Sequence, residues 1–241
     1  MAMIKLAEVL CSDLSSTRKR KTVNPFVIFQ RANTGSIWKG PVLLRNPHPN
    51  LMIWNHATQS LVKTLKLSTL PVRNAKFVAR KQWIAASSDD MQVRTSFEAH
   101  TDYIRNIEVH PTLPCFLTCA DDMTIKLWDW DKNFTCKQVF EGHGNYVMMV
   151  EFNPKDAHSF ASACLDRTVR VWGFGSSHAH FSLEGYERGV NCVACYPGGE
   201  KPYLLSGSDD RTVKVWDYQT KAIVHTLDGH GNNLTSVLYH P

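Results

Sequence analysis

The chain has 241 residues, 43% of them hydrophobic and 10% aromatic, with 27 Lys/Arg against 22 Asp/Glu for a net charge of +5. That composition suits a packed interior and excludes a disordered chain, and the length allows one large all-β domain or two small ones. No apolar run approaches the roughly 18–20 residues that cross a bilayer as a helix.

The charge is concentrated at the amino end. Residues 1–50 hold eight Lys/Arg against two Asp/Glu, whereas the remainder holds 19 against 20. The bulk of the chain is therefore not basic and gives no support to nucleic-acid binding. The stretch from Met1 to Leu14 carries Glu8 and Asp13 and lacks a charged-then-apolar layout, so no secretory signal is read. Arg18-Lys19-Arg20-Lys21 reads first as a solvated charge run, with a nuclear signal or an anionic-lipid patch as the other readings. The expected division is a divergent basic segment over 1–50, not ordered throughout, followed by one β domain over 51–241.

From residue 51 onward, strands and turns alternate. A partial unit ends at Trp54-Asn55 and is followed by a strand over 61–67. A second unit reaches Asp89-Asp90-Met91. The third is complete, with strands expected over 104–109, 115–120, 124–128 and 135–140, turned at His110-Pro111 and Asp121-Asp122. The fourth uses Asn153-Pro154 and a strand over 160–164, and the fifth uses Tyr196-Pro197 and a strand over 203–208. β-Branched runs between Asp-rich and Pro turns, with no long helical period, make the fold class all-β. Cys192-x-x-Cys195 and Cys115-x-x-x-Cys119 fall inside these strands, where the spacing does not build a metal site. They are read as ordinary reduced strand cysteines, and no metal or cofactor is expected.

The units repeat one pattern. Asp122 to Trp128, Asp166 to Trp172 and Asp210 to Trp216 recur at one constant step, and the triplets Glu98-Ala99-His100, Glu141-Gly142-His143, Glu184-Gly185-Tyr186 and Asp228-Gly229-His230 nearly keep it. A period of about 40–45 residues with Gly-His and Trp-Asp marks is the WD40 propeller signature, one four-stranded blade per repeat. The step from Asp90 to Asp122 is about a dozen positions shorter than the step from Asp122 to Asp166. Blade two therefore lacks most of an outer strand and its turn. The expected architecture is an incomplete propeller of about three full blades, with partial first, second and sixth blades. Such a set leaves blade faces uncovered, so the sequence reads as part of a longer propeller protein.

The Asp six places before Trp (Asp122, Asp166, Asp210), with Asp90 at the aligned place in the second unit, and the matching His100, His143 and His230 are read as structural turn residues. A carboxylate in a tight turn accepts backbone and imidazole hydrogen bonds. As catalytic pairs they would recur in every blade with no nucleophile beside them. Nothing else points to an enzyme: there is no P-loop, no Gly-x-Ser-x-Gly and no metal-ligand spacing. Asp89, Asp121 and Asp209 precede these turn residues and are not required by the turn, because Leu165 holds the same place in blade four. With Asp102 they group on one face of a blade array. They are either solvated turn chemistry or a site for cations such as lysine side chains.

The stretch 61–241 resembles the first propeller of coatomer beta-prime subunits. The resemblance is carried by Leu70-Pro71-Val72-Arg73-Asn74-Ala75-Lys76-Phe77-Val78-Ala79-Arg80-Lys81-Gln82-Trp83, Phe97-Glu98-Ala99-His100-Thr101-Asp102-Tyr103-Ile104-Arg105, Phe152-Asn153-Pro154-Lys155-Asp156 and Val215-Trp216-Asp217-Tyr218-Gln219-Thr220. It implies a non-enzymatic coat subunit of COPI vesicles moving between Golgi and endoplasmic reticulum, peripheral to the Golgi membrane and cytoplasmic. The implied partners are the dilysine tails of membrane cargo and the alpha and epsilon coatomer subunits. Carried over position by position, Asp102, Asp121 and Asp209 match acidic positions that receive the lysines, and Arg73 matches a basic position for the terminal carboxylate. Residues 1–50 do not resemble the first blade of that family. The other reading is a generic WD40 interaction scaffold, nuclear through Arg18 to Lys21.

Overall fold

The computed structural model describes residues 2–8, 28–30, 42–44, 50–55, 60–66, 72–78, 83–88 and 96–239. Among the described residues the elements are strands, with no helix. The chain divides into two compact units, Met1–Ile107 and Glu108–Pro241.

The first unit holds β1 (Ala2–Glu8), β2 (Ile28–Gln30), β3 (Val42–Leu44), β4 (Asn50–Asn55), β5 (Ser60–Lys66), β6 (Val72–Val78), β7 (Trp83–Ser88) and β8 (Ser96–His100). One sheet runs β2-β3-β4-β5, with β2 and β3 parallel and the other pairs antiparallel. The other runs β6-β7-β1-β8, antiparallel throughout. Strands from residues 1–50 thus take part in both sheets. In the sheet whose own sequence is short, β8 holds the outer place and β1 the third.

β9 (Ile104–Val109) spans the division between the units. After it come β10 (Cys115–Ala120), β11 (Ile125–Asp129) and β12 (Thr135–Phe140), in the order β12-β11-β10-β9. The next sheet runs β13 (Val147–Phe152), β14 (Ser159–Cys164), β15 (Val169–Gly173), β16 (Phe181–Leu183). The last runs β17 (Val190–Cys195), β18 (Tyr203–Ser208), β19 (Val213–Asp217), β20 (Ala222–Leu227). The strands expected in blades three to five fall within a position or so of these limits.

Position in the sheet dictates composition. β10 and β14 are buried at all six positions, and they read Cys-Phe-Leu-Thr-Cys-Ala and Ser-Phe-Ala-Ser-Ala-Cys, small or apolar on both faces because both faces are covered. β20, at an edge, is exposed at five of six positions and carries His225 and Thr226. Between the β9–β12 and β13–β16 sheets, Leu117, Leu127, Phe140, Val150, Phe152, Phe160 and Trp172 form one apolar cluster. Phe160 stacks on Trp172 at 6.2 Å and meets Phe140 edge-on at 4.9 Å. A second cluster joins the last two sheets through Ala163, Val169, Val190, Val193 and Trp216. Residues 234–239 form no strand, yet Val237 and Tyr239 pack against Cys192 and Ala194 of β17.

The turns between second and third strands share one geometry. Met123, Arg167 and Arg211 donate N–H bonds of 3.2–3.3 Å back to Ala120, Cys164 and Ser208, and all three hold positive φ, at 65°, 72° and 72°. The Gly-His loops need glycine for a related reason. Gly142 sits at φ +132°, and a Cβ there would lie 3.0 Å from Arg170 Nη1.

Candidate functional site

In the β13–β16 sheet the repeat residues form one continuous hydrogen-bond chain. Trp172 Nε1 donates to Ser162 Oγ at 2.8 Å, and Ser162 Oγ meets His143 Nε2 at 2.7 Å. His143 Nδ1 lies 2.7 Å from Asp166 Oδ2, while Asp166 Oδ1 accepts the Thr168 backbone N–H at 3.0 Å and its hydroxyl at 2.7 Å. The directions fix one another. An ionised Asp166 requires a proton on Nδ1, so Nε2 accepts from Ser162, whose oxygen is left to accept from the indole. Burial lowers the His143 pKa, opposed by Asp166, and keeps the ring neutral near pH 7. For Asp166, burial works to raise the pKa, but donation from His143, Thr168 and Gly144 outweighs it and holds the carboxyl well below its usual range.

Cys164 lies close to this chain. His143, Cys164 and Asp166 each place one potential ligand atom within 4.8 Å of the others. Burial pushes the Cys164 thiol up to about 12, so it is protonated, and it donates to the Asn145 carbonyl. The imidazole and carboxylate are already committed to each other and to their hydrogen-bond partners. The arrangement is a buried clasp and not an open ligand set.

The neighbouring sheets vary the theme. Trp216 Nε1 donates to Ser206 Oγ at 2.7 Å. Here Tyr186 replaces histidine, and its hydroxyl, 2.7 Å from Ser206 Oγ, donates to the Ser206 carbonyl and accepts from Lys214 N–H. Asp210 keeps its two Thr212 bonds and among the described residues takes only the Glu187 N–H besides, at 3.3 Å. Trp128 Nε1 donates to Thr118 Oγ1, and Asp122 holds Thr124 in the same double bond. The serine or threonine ten places before each tryptophan completes the clasp. Sequence reasoning passes over Thr118, Ser162 and Ser206, although their constant offset from Trp is a visible signal.

His100 is buried. His230 is exposed and has no hydrogen-bond partner among the described residues. Asp89, Asp90 and the run Arg18 to Lys21 lie outside the described residues, as does the side chain of Arg73, whose backbone is in β6.

The carboxylates read as cation receptors differ among themselves. Asp102 is exposed and caps the Tyr103 N–H at 2.7 Å. Asp121 is 5% exposed and hydrogen-bonded or otherwise paired, unlike the open rim carboxylate that spacing suggests. It continues directly from β10, a strand buried at every position. Asp209 is half-buried, and its Oδ1 accepts from Asn191 Nδ2 at 2.6 Å, an amide that also reaches the Leu234 carbonyl. Asp209 Oδ2 keeps no partner among the described residues. Asp209 lines a cleft of about 360 Å³ together with Glu187, Arg188, Asp210, Arg211, Asp228 and His230. Four carboxylates there stand against two guanidinium groups, and no ion pair joins them among the described residues.

The family model for the WD domain, G-beta repeat, matches residues 91–129, 134–173 and 178–217. Coatomer subunit beta' of Homo sapiens and of Rattus norvegicus are each 57% identical over 170 residues, 66% of this chain and 19% of theirs. Coatomer subunit beta'-2 of Arabidopsis thaliana is 55% identical over 201 residues, 79% of this chain and 22% of its own length. The chain therefore spans about a fifth of the length of these curated relatives. The repeating Trp–Ser/Thr bond and aspartate turn, in sheets whose first three strands each fall within one of three successive matched repeats, make this an incomplete WD40 β-propeller chain similar to coatomer beta' subunits over two-thirds of its length.

Proposed function

We propose that the chain is a non-enzymatic recognition module of a COPI-type vesicle coat, cytoplasmic and peripheral to the Golgi membrane, which reads the dilysine tails of membrane cargo. Asp209 receives a lysine ammonium. The observation that carries this reading is the Asp209 cleft: a carboxylate oxygen without a partner among the described residues, beside Glu187, Asp210 and Asp228, with acidic groups in excess. An ammonium is a compact point charge with three donors and suits scattered carboxylate oxygens better than a planar guanidinium does. Asp102 is proposed as a further lysine receptor and Arg73 as the receptor of the terminal carboxylate, while Asp121, enclosed and already paired, is left out of that role. The similarity to coatomer beta' supports the assignment. The alpha and epsilon coatomer subunits are its proposed partners.

Each half-exposed pair contributes about 0.2–1 kcal/mol, so Asp209→Asn, which keeps the side-chain volume, should weaken a dilysine-ended peptide roughly 1.4- to 5-fold. Binding is read by fluorescence anisotropy at low salt and should weaken as salt is raised. A peptide with both lysines replaced by serine, bound as well as the parent, overturns the proposal. So does an unchanged affinity in Asp209→Asn.

A further inference from the structure

The sheets of β9–β20 each take four strands consecutive in sequence, whereas the sheet β6-β7-β1-β8 takes its third strand from the far amino-terminal end of the chain. This is the unit whose Asp90-to-Asp122 step falls about a dozen positions short of the step that follows it. The shortfall lies after β7, where a third strand would otherwise run, and β1 occupies that place.

We propose that the slot between β7 and β8 is an acceptor site for an extended peptide strand, filled by residues 2–8 of the same chain and able to exchange that strand for the same strand of a second copy. The ladder runs along nearly all of β1 on the β7 side and along its first four residues, with a bulge between Ala2 and Met3, on the β8 side. β1 pairs with β7 from Met3↔Ser88 to Glu8↔Trp83, and with β8 at Ala2↔His100, Met3↔Glu98, Ile4↔Phe97 and Lys5↔Ser96. A strand in that place satisfies two rows of backbone N–H and C=O groups that would otherwise face each other unpaired.

Main-chain bonds of this kind accept any extended sequence, and register is selected by residue size. Five successive pairs set a large residue against a small one: Met3 opposite Ser88, Ile4 opposite Ser87, Lys5 opposite Ala86, Leu6 opposite Ala85, and Ala7 opposite Ile84. A slip of two positions would set Leu6 opposite Trp83 or leave Ala7 opposite Ala86. β7 is buried from Ile84 to Ser87. The ligand class is therefore a seven-residue extended peptide without proline, small at the position opposite Ile84. Because the contacts are backbone ladder bonds and not a covalent closure, an identical strand from another molecule fits equally well.

The test uses the full chain with a specific-protease site inserted between Ser12 and Asp13. After cleavage, the amino-terminal peptide should co-elute with the body on native size exclusion. Excess fluorescent peptide of sequence Ala2–Glu8 should displace it, and a labelled fragment should migrate between mixed cleaved copies. The same peptide with Ile4→Pro, which loses a ladder N–H and misfits the strand, should compete roughly tenfold less well. Immediate loss of the cleaved fragment, or equal competition by the proline peptide, overturns the proposal. In the uncut chain, hydrogen exchange should protect amides 2–8 as strongly as those of β7. Fast exchange over 2–8 beside a protected β7 overturns it as well.

Discussion

Removing the Ser162 hydroxyl tests the clasp most sharply. Ser162 is fully buried, and its oxygen stands between two groups with nowhere else to turn, Trp172 Nε1 at 2.8 Å and His143 Nε2 at 2.7 Å. Ser162→Ala leaves a dry indole N–H and a dry imidazole acceptor, each at a cost of about 1–3 kcal/mol, or about 2–6 kcal/mol together. The matching change in the next sheet costs less. In Ser206→Ala the Trp216 N–H is stranded, but the Tyr186 hydroxyl still donates to the Ser206 carbonyl and accepts from Lys214 N–H. That change should cost about 1–3 kcal/mol. Urea unfolding followed by tryptophan fluorescence ranks the two by midpoint, with Ser162→Thr as the rescue, since Thr118 already performs this task under Trp128. A midpoint shift in Ser206→Ala equal to or larger than that in Ser162→Ala contradicts this ranking and the clasp behind it.

Two further outcomes rest on the same geometry. The His143 pKa lies below 6.5 in the folded chain because the ring is buried, so between 6.5 and that lower value the unfolded state binds a proton that the folded state refuses. Stability should fall as pH is lowered from 7 through 6 toward 5, and His143→Gln should flatten that slope; a chain equally stable across the range contradicts it. In Gly207→Ala the new Cβ meets Cys192 Sγ at 2.8 Å, Leu234 Cβ at 3.1 Å and Val237 Cγ1 at 3.2 Å. Overpacking of that kind costs about 1–3 kcal/mol, and it should loosen residues 234–239 to proteolysis before the β17–β20 sheet unfolds; unchanged cleavage rates count against it.

The tryptophan period makes the sheets legible, because each repeat carries its own turn residues and its own buried second strand. Strand limits such as Cys115–Ala120 and Tyr203–Ser208 are readable from the repeat and the flanking turns. The place of β1 is not. Its partners in β7 and β8 lie far along the chain, and backbone pairing leaves no local mark in Ala-Met-Ile-Lys-Leu-Ala-Glu. The aspartate–histidine relation is visible as spacing, but the exchange of histidine for Tyr186 does not show itself there as a rewiring, since only geometry reveals the phenol reaching a backbone carbonyl. The burial of Asp121 is hidden for the opposite reason. Asp-Asp in a turn looks the same in sequence whether its first carboxylate points to water or is enclosed.

The aspartate turns also work as tensioned springs. Met123, Arg167 and Arg211 each hold a backbone conformation that side-chain-bearing residues resist by about 1–2 kcal/mol, and in each case the paired aspartate–threonine bonds keep the coil wound. Where an imidazole also anchors the carboxylate, as at Asp166, the winding is secured twice. At Asp210 it is secured by the threonine and one long amide contact. The third strand of the last sheet therefore hangs from a slacker anchor than its neighbour in the β13–β16 sheet, and under load or heat the loosening of these two should start at Arg211.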